Sequence, residues 1–246
     1  MSLMDAKTAP KTAMVLAAGL GTRMRPLTND RPKALVEVGG RVLIDHMLDR
    51  LAVAGVERAV VNVHAFADRL EAHLRARVTA PAIVISDERA ELLETGGGLK
   101  QARALLGDAP LFTANIDAVW IERGVPALDA LAQGFDPTHM DACLLVTPTE
   151  SALGFDGPGD FFMAADGRLS FRNDAASAPY AFAGVQVFKP QLVDGETARV
   201  FSTSGIWRRL AAEGRLYGVM LDGEWMHVGD PEARADAELR LAEAAG

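Results

Sequence analysis

The sequence is short of cysteine. Its one thiol, Cys143, supports neither an internal disulfide nor the grouped spacing of a zinc site. It lies in the apolar run Ala142-Cys143-Leu144-Leu145-Val146, the setting of a buried strand cysteine. No stretch approaches the ~20 apolar residues that cross a bilayer. The start of the chain lacks the succession of basic, apolar and cleavage-site residues that marks a secretory leader, so a cytoplasmic location is expected. Positive charge is also scarce: Lys+Arg 25 against Asp+Glu 33 leaves a net charge of −8. That balance argues against a non-specific grip on nucleic acid. Internal repeats, low-complexity tracts and Pro/Ser-rich linkers are absent too, which argues against a string of small modules.

What is present suits a globular α/β protein, since 49% hydrophobic residues can fill a sizeable core. Short β-rich runs alternate with helical spacing through the first half. Strands are predicted at 14–17, 59–63, 82–86 and 111–115, and helices at 42–54, 66–75 and 99–106, the last closed by Gly107. Such alternation predicts βαβ units, hence a Rossmann-like, mostly parallel sheet with helices on both faces. After about Gly134 the pattern becomes β-rich, with strands at 142–146, 161–164, 169–172 and 182–188. Helices follow at 205–213 and 232–245. Residues 1–11 read as a loose tail. Residues 12–246 form a single domain, with a first half to about 134 and a second from about 135.

The chain's positive charge gathers at one place. The first strand runs into Leu16-Ala17-Ala18-Gly19-Leu20-Gly21-Thr22-Arg23-Met24-Arg25, and Lys33 follows shortly after. Like charges this close gain little without a counter-anion. Two phosphate loops can be excluded. The dinucleotide fingerprint needs a third glycine where Met24 stands, and no Gly-Lys-Ser/Thr tripeptide exists for a Walker A loop. A Gly-x-Gly-Thr turn leaving the first strand remains, where backbone N–H groups can cradle an anion. No Ser/His/Asp or Cys/His constellation points to a nucleophilic side chain.

The stretch "LAAGLGTRMRPLTNDRPKALVEVGG" resembles the signature of the sugar-1-phosphate nucleotidylyltransferases. Ala34 follows Lys33 where that family often has proline. The resemblance implies an enzyme whose substrates are a nucleoside triphosphate and a sugar 1-phosphate, with the loop wrapping the nucleotide through Leu16, Ala17, Ala18, Gly19, Gly21 and Thr22. It implies that Arg23 contacts the leaving pyrophosphate and Lys33 the α-phosphate. A sugar phosphate oxygen would attack the α-phosphorus in line with the leaving group, so charge must be stabilised more than protons moved.

"ELLETGGGLKQA" sets Gly96, Gly97 and Gly98 before the predicted 99–106 helix. Three glycines are costly in regular structure, and close backbone approach to a flat ligand is a reason for them. By resemblance Glu94, Thr95, Gly96 and Gly97 read the nucleotide base. Asp117 ends Asn115-Ile116-Asp117 after an apolar strand, where the resemblance implies a catalytic Mg²⁺ ligand; Mn²⁺ is also compatible. The family's second metal-binding aspartate falls in a segment that here reads Trp225-Met226-His227-Val228-Gly229-Asp230-Pro231. His227 replaces that aspartate, and imidazole suits softer ions than Mg²⁺. Three readings of the second position are open: His227 as the ligand, Asp230 as an alternative, or a water.

The β-rich half would hold the sugar, with Asn115, Asp160 and Gly184 as candidate contacts. The family's frequent Glu-Lys-Pro segment is absent, leaving Arg172 as a candidate anchor for the sugar phosphate. His64 reads as a satisfied structural histidine at the cleft rim. Chain length, the Glu-Thr-Gly-Gly-Gly loop and the Trp225 segment look most similar to the N-acetylmuramate 1-phosphate uridylyltransferase branch. The alternatives are the mannose 1-phosphate guanylyltransferase branch, with GTP, or a catalytically silent nucleotide-binding homologue. Nothing in the sequence bears on oligomeric state.

Overall fold

The computed structural model describes residues 9–245. Of the stretch read as a tail, residues 1–8 lie outside the described residues. Pro10 is buried, and the Lys11 carbonyl accepts from the N–H groups of Glu57 and Arg58.

Strand β1 (Thr12–Leu16) leads through the glycine turn to a small hairpin, β2 (Glu37–Val38) and β3 (Arg41–Val42), and then to α1 (Leu43–Val53). There follow β4 (Arg58–Val63), α2 (Ala67–Ala76), β5 (Ala82–Asp87), α3 (Glu94–Gln101), α4 (Arg103–Leu106) and β6 (Leu111–Asn115). The second half holds β7 (Ala118–Glu122), α5 (Ala127–Gly134), β8 (Ala142–Pro148), β9 (Phe161–Met163), β10 (Leu169–Phe171) and β11 (Tyr180–Phe188). It ends with α6 (Thr203–Ala212), β12 (Leu216–Met220), β13 (Gly223–His227) and α7 (Pro231–Ala245).

Strands β6, β1, β4 and β5 pair side by side and in parallel. β11 adds to β6 antiparallel, carrying β9 and β10 on one flank and β8 with β12 on the other. Both faces of β6, β1 and β4 are largely buried, as helices on both sides require, while the edge strand β5 is partly exposed. Strand side chains alternate between the faces. Ala13, Val15, Ala59 and Val61 enter one core with α1, α2 and α5, while Met14 and Val60 enter another with α3 and α6. Cys143 is buried in β8. No helix among the described residues is long and apolar enough to cross a membrane.

One predicted boundary is corrected. The 99–106 helix begins instead at Glu94, so the three glycines lie inside α3, and the helix breaks at Ala102 into α3 and α4. Tertiary packing overrides glycine's poor helix propensity there. A Cβ on Gly96 would overlap the Phe201 ring, and one on Gly97 the Arg199 carbonyl oxygen. The two-stranded sheet of β7 and β13 is also absent from the sequence-based assignment. It pairs His227 with Ala118 and so brings the C-terminal segment beside Asp117.

Candidate active site

The parallel sheet opens where the order of connections reverses, between β1 and β6, and ligands of open α/β sheets bind beyond the carboxyl ends of strands there. A cavity of about 280 Å³ occupies this place. Leu16 at the end of β1, Ala17, Ala18 and Gly19 from the loop after it, Lys33, Glu94 and Thr95 from the start of α3, Asn115 at the end of β6 and Asp117 just after it all line it.

The glycine loop takes its shape from local constraints. Gly21 has φ 63°, a left-handed value that glycine adopts without strain. A Cβ there would stand 3.0 Å from Lys33 Cβ, so the turn also lets Lys33 come close. Thr28 Oγ1 donates to the Gly21 carbonyl at 2.8 Å and closes the turn. Thr22 and Arg23 follow on a short 3-10 turn outside the cavity lining. Among the described residues, neither Arg23 nor Arg25 has a carboxylate within ion-pair distance, whereas nearby Arg31 pairs with Asp30.

Lys33 is 9% exposed, and its Nζ lies 2.9 Å from Asp117 Oδ2. His227 Nε2 lies 3.6 Å from the same oxygen. The His227 ring stacks on Trp225 with centroids 5.7 Å apart, and its Nδ1 faces the Gly154 carbonyl at 3.3 Å. Val228 N–H donates to the Asp117 carbonyl at 2.9 Å, which locks the two segments together. Burial pushes the Asp117 carboxyl up. The His227 ring and the Lys33 charge outweigh that effect and hold it well below the usual carboxylate range.

The two donors, a carboxylate and an imidazole, would suit a divalent ion that takes its other ligands from phosphate oxygens. Among the described residues no cluster of three or more His, Cys, Asp or Glu side chains could hold a metal without such help. Asp230 is engaged elsewhere: its Oδ1 accepts the Ala233 N–H at 2.9 Å and caps α7.

Gly96 and Gly97 stand behind the cavity wall. Their N–H groups donate to the Phe201 carbonyl at 2.9 and 3.0 Å, so these donors are already committed within the protein. Glu94, with φ 59°, and Thr95 are the members of that segment that line the cavity. Gly184 sits at the register shift of β11 against β8, where a Cβ would stand 2.9 Å from Ala118 Cβ. Asp160 lies further along this half, its Oδ2 accepting the Phe182 N–H at 2.9 Å.

Two polar residues escaped the sequence reading. Asn62 Oδ1 accepts the N–H groups of Ala17 and Ala18 at 2.6 and 3.2 Å, and Asn62 Nδ2 donates to Glu88 Oε1 at 2.9 Å. Both are buried and line the cavity. The signal was an asparagine inside the apolar run Val60-Val61-Asn62-Val63, since a buried amide requires partners. His64 is held by the Glu88 carbonyl at 2.6 Å from Nδ1, a structural role.

Comparison with known proteins adds to this geometry. The MobA-like NTP transferase domain matches residues 13–212. An N-acetylmuramate alpha-1-phosphate uridylyltransferase of Caulobacter vibrioides is 59% identical over 96% of this chain and 99% of its own. A protein of the same description from Neisseria meningitidis serogroup B is 34% identical over 88% of this chain and 92% of its own. The catalytic subunit beta of a mannose-1-phosphate guanylyltransferase from Danio rerio is 31% identical, but this chain spans only 61% of it. Among solved structures, a UDP-glucose pyrophosphorylase complexed with UDP-glucose superposes with a TM-score of 0.78. It covers 96% of this chain and 99% of its own at 16% identity, a likeness of fold. The chain belongs to the MobA-like NTP transferase domain family.

Proposed function

From that membership, we propose that the chain transfers the uridylyl group of UTP to N-acetylmuramate α-1-phosphate, releasing pyrophosphate. The Caulobacter relative, similar over nearly the whole of both chains, is the observation that carries the choice of substrates. The joined Lys33, Asp117 and His227 support the reaction class and count against a silent binder, which has no need of a buried cation on the reaction path.

The triphosphate lies over the turn at Ala17 to Gly21, and Lys33 faces the α-phosphate as the sugar phosphate oxygen attacks. Arg23 and Arg25, with no carboxylate partner among the described residues, attract the β- and γ-phosphates that leave. Each such preorganised charge is typically worth ~2.7–4 kcal/mol in the transition state. Asp117 and His227 would hold a divalent ion, Mg²⁺ or Mn²⁺, which would supply neutralisation of phosphate charge. Glu94 and Thr95 border the base, and Asn115 and Gly184 the sugar.

The test is pyrophosphate release from purified protein. UTP, GTP, CTP and dTTP are each paired with N-acetylmuramate, N-acetylglucosamine, glucose and mannose 1-phosphates. Turnover only with GTP and mannose 1-phosphate would replace the substrates named here. No turnover with any pair, while UTP still binds, would favour a nucleotide-binding regulator.

A further inference from the structure

A second cavity, of about 390 Å³, lies in the C-terminal half. Phe161, Phe171, Phe182 and Trp207 wall it, and Arg172 and Arg208 stand over it. The rings pack closely: Phe182 and Trp207 meet edge-on with centroids 4.9 Å apart, and Phe161 and Phe171 are tilted at 4.8 Å. The result is a ring-lined wall beside two cations, with Asp160, Asn173 and Ser204 also on the lining.

Both arginines are positioned without being neutralised. Arg172 donates from Nε to the Gly159 carbonyl at 3.1 Å and from Nη1 to the Ala175 carbonyl at 2.6 Å. Arg208 lies over the Phe171 ring at 4.3 Å and reaches Asn173 Oδ1 at 3.4 Å. Among the described residues neither has a carboxylate partner, although their chain neighbours Arg168 and Arg209 pair with Asp166 and Glu196. The one carboxylate on the wall, Asp160, has Oδ2 committed to the Phe182 N–H. In an acidic chain, two such cations facing one aromatic pocket call for an anion from outside.

Two links connect the pocket to the nucleotide cavity. Thr95, which lines the first cavity, accepts at Oγ1 the Thr203 N–H at 3.0 Å, and the next residue, Ser204, lines the second. Along β11, Phe182 precedes Gly184 by two residues, about 7 Å of strand. A Cβ on Gly184 would lie 3.6 Å from Asn115 Cβ in the first cavity. A sugar held at Asn115 would lie within reach of the second pocket, so a side arm on it could extend there.

N-acetylmuramate differs from N-acetylglucosamine by an ether-linked lactyl group on O3, which carries a methyl and a carboxylate. A guanidinium matches a carboxylate's two oxygens, which makes Arg the fitting partner for such a group. We propose that Arg172 and Arg208 form a carboxylate-recognition subsite that selects sugars bearing an anionic side arm over neutral ones, with the aromatic wall taking the lactyl methyl. This assignment rests on the substrate reading above and concerns what discriminates within it.

The test is calorimetric binding of N-acetylmuramate 1-phosphate and N-acetylglucosamine 1-phosphate with a non-hydrolysable UTP analogue present. Both sugars carry the 1-phosphate, so its contribution cancels. The unmodified protein is expected to bind the carboxylate-bearing sugar about tenfold or more tightly than the neutral one. Arg208→Met and Arg172→Gln should each lose most of that preference, and Arg208→Lys should keep part of it. Thermal melting confirms that the variants fold. Equal affinities in the unmodified protein, or a preference that survives in both neutral variants, overturns the assignment. Pyrophosphate release on the same samples separates the two readings. Transfer to N-acetylmuramate 1-phosphate with an unmoved preference keeps the reaction and removes the subsite. A preference that depends on the arginines without any transfer keeps the subsite and removes the reaction.

Discussion

Lys33 Nζ stands 2.9 Å from Asp117 Oδ2 although 84 positions of chain separate them. The pair joins the turn after β1 to the end of β6, the two edges of the crevice. A mostly buried ammonium gives up hydration on folding, and the carboxylate compensates while leaving the cation at the cavity surface. Lys33→Met should therefore lower kcat by about 100- to 1,000-fold, as for loss of a preorganised charge. Nucleotide binding should fall much less. Pyrophosphate release and a UTP titration of the same variant measure the two separately, and equal losses in both would remove Lys33 from the transition state.

His227 brings an imidazole to a position 3.6 Å from Asp117 Oδ2. Imidazole favours Mn²⁺ over Mg²⁺ relative to an all-oxygen site. His227→Asp is expected to raise the ratio of Mg²⁺- to Mn²⁺-supported rates several-fold. Rates assayed across both ions provide the check. An unchanged ratio and rate would leave His227 as a neighbour of Asp117 and no ligand.

The difference between what could be read in the chain and what could not follows from sequence separation. The buried strand Leu111–Asn115 was visible because apolar runs bounded by turns are local signals, and the Arg23 and Lys33 charges stood out against an acidic background. The glycines of α3 misled because their cause is non-local: the Phe201 ring and the Arg199 carbonyl come from another part of the chain. The Asn62–Glu88 bond was invisible for the same reason. The pairing of β13 with β7 set His227, and not Asp230, beside Asp117. Strand register of that kind is written in contacts and not in spacing.

Gly97 provides a direct test of the packing account. A Cβ there meets backbone, which yields less readily than a side chain. Gly97→Ala should destabilise the fold by about 1–3 kcal/mol, a typical overpacking penalty. Gly19→Ala, with nothing within 4 Å of the added carbon, should cost far less. Chemical denaturation of both variants compares them, and similar stabilities would mean that the Arg199–Phe201 segment moves aside freely.

Asn62 holds the N–H groups of Ala17 and Ala18 through one amide oxygen. Asn62→Ala leaves both donors, and the Glu88 oxygen, without partners at the cavity wall. An unsatisfied buried group costs about 1–3 kcal/mol. The loop's disorder should appear mainly as a raised KM for the nucleoside triphosphate, by about tenfold, with kcat changed less. Steady-state kinetics would show the split, and a fall in kcat alone would contradict it.

Asp141 gives the expected acid limit of the fold. Arg215 binds its carboxylate through two nitrogens, the Nη2 contact being 2.8 Å, and Lys189 Nζ lies at 2.6 Å, so the starts of β8 and β12 and the end of β11 are joined. Hydrogen bonding from Arg215, opposed by partial burial and aided by Lys189, lowers the carboxyl from 3.8 to about 2. Because the folded value lies below the unfolded one, the folded state is favoured fully above about pH 4, and that contribution disappears as pH falls toward 2. The shift corresponds to at most about 2 kcal/mol, reduced by the solvent that reaches the pair. Asp141→Asn should lower stability at pH 7 by about 1–2 kcal/mol, since two cations lose their partner. Its deficit relative to the unmodified protein should shrink as the pH drops from about 4. Denaturation curves collected between pH 7 and pH 3 test this, and a deficit that stays constant across that range would show that Asp141 stabilises through shape and not through charge.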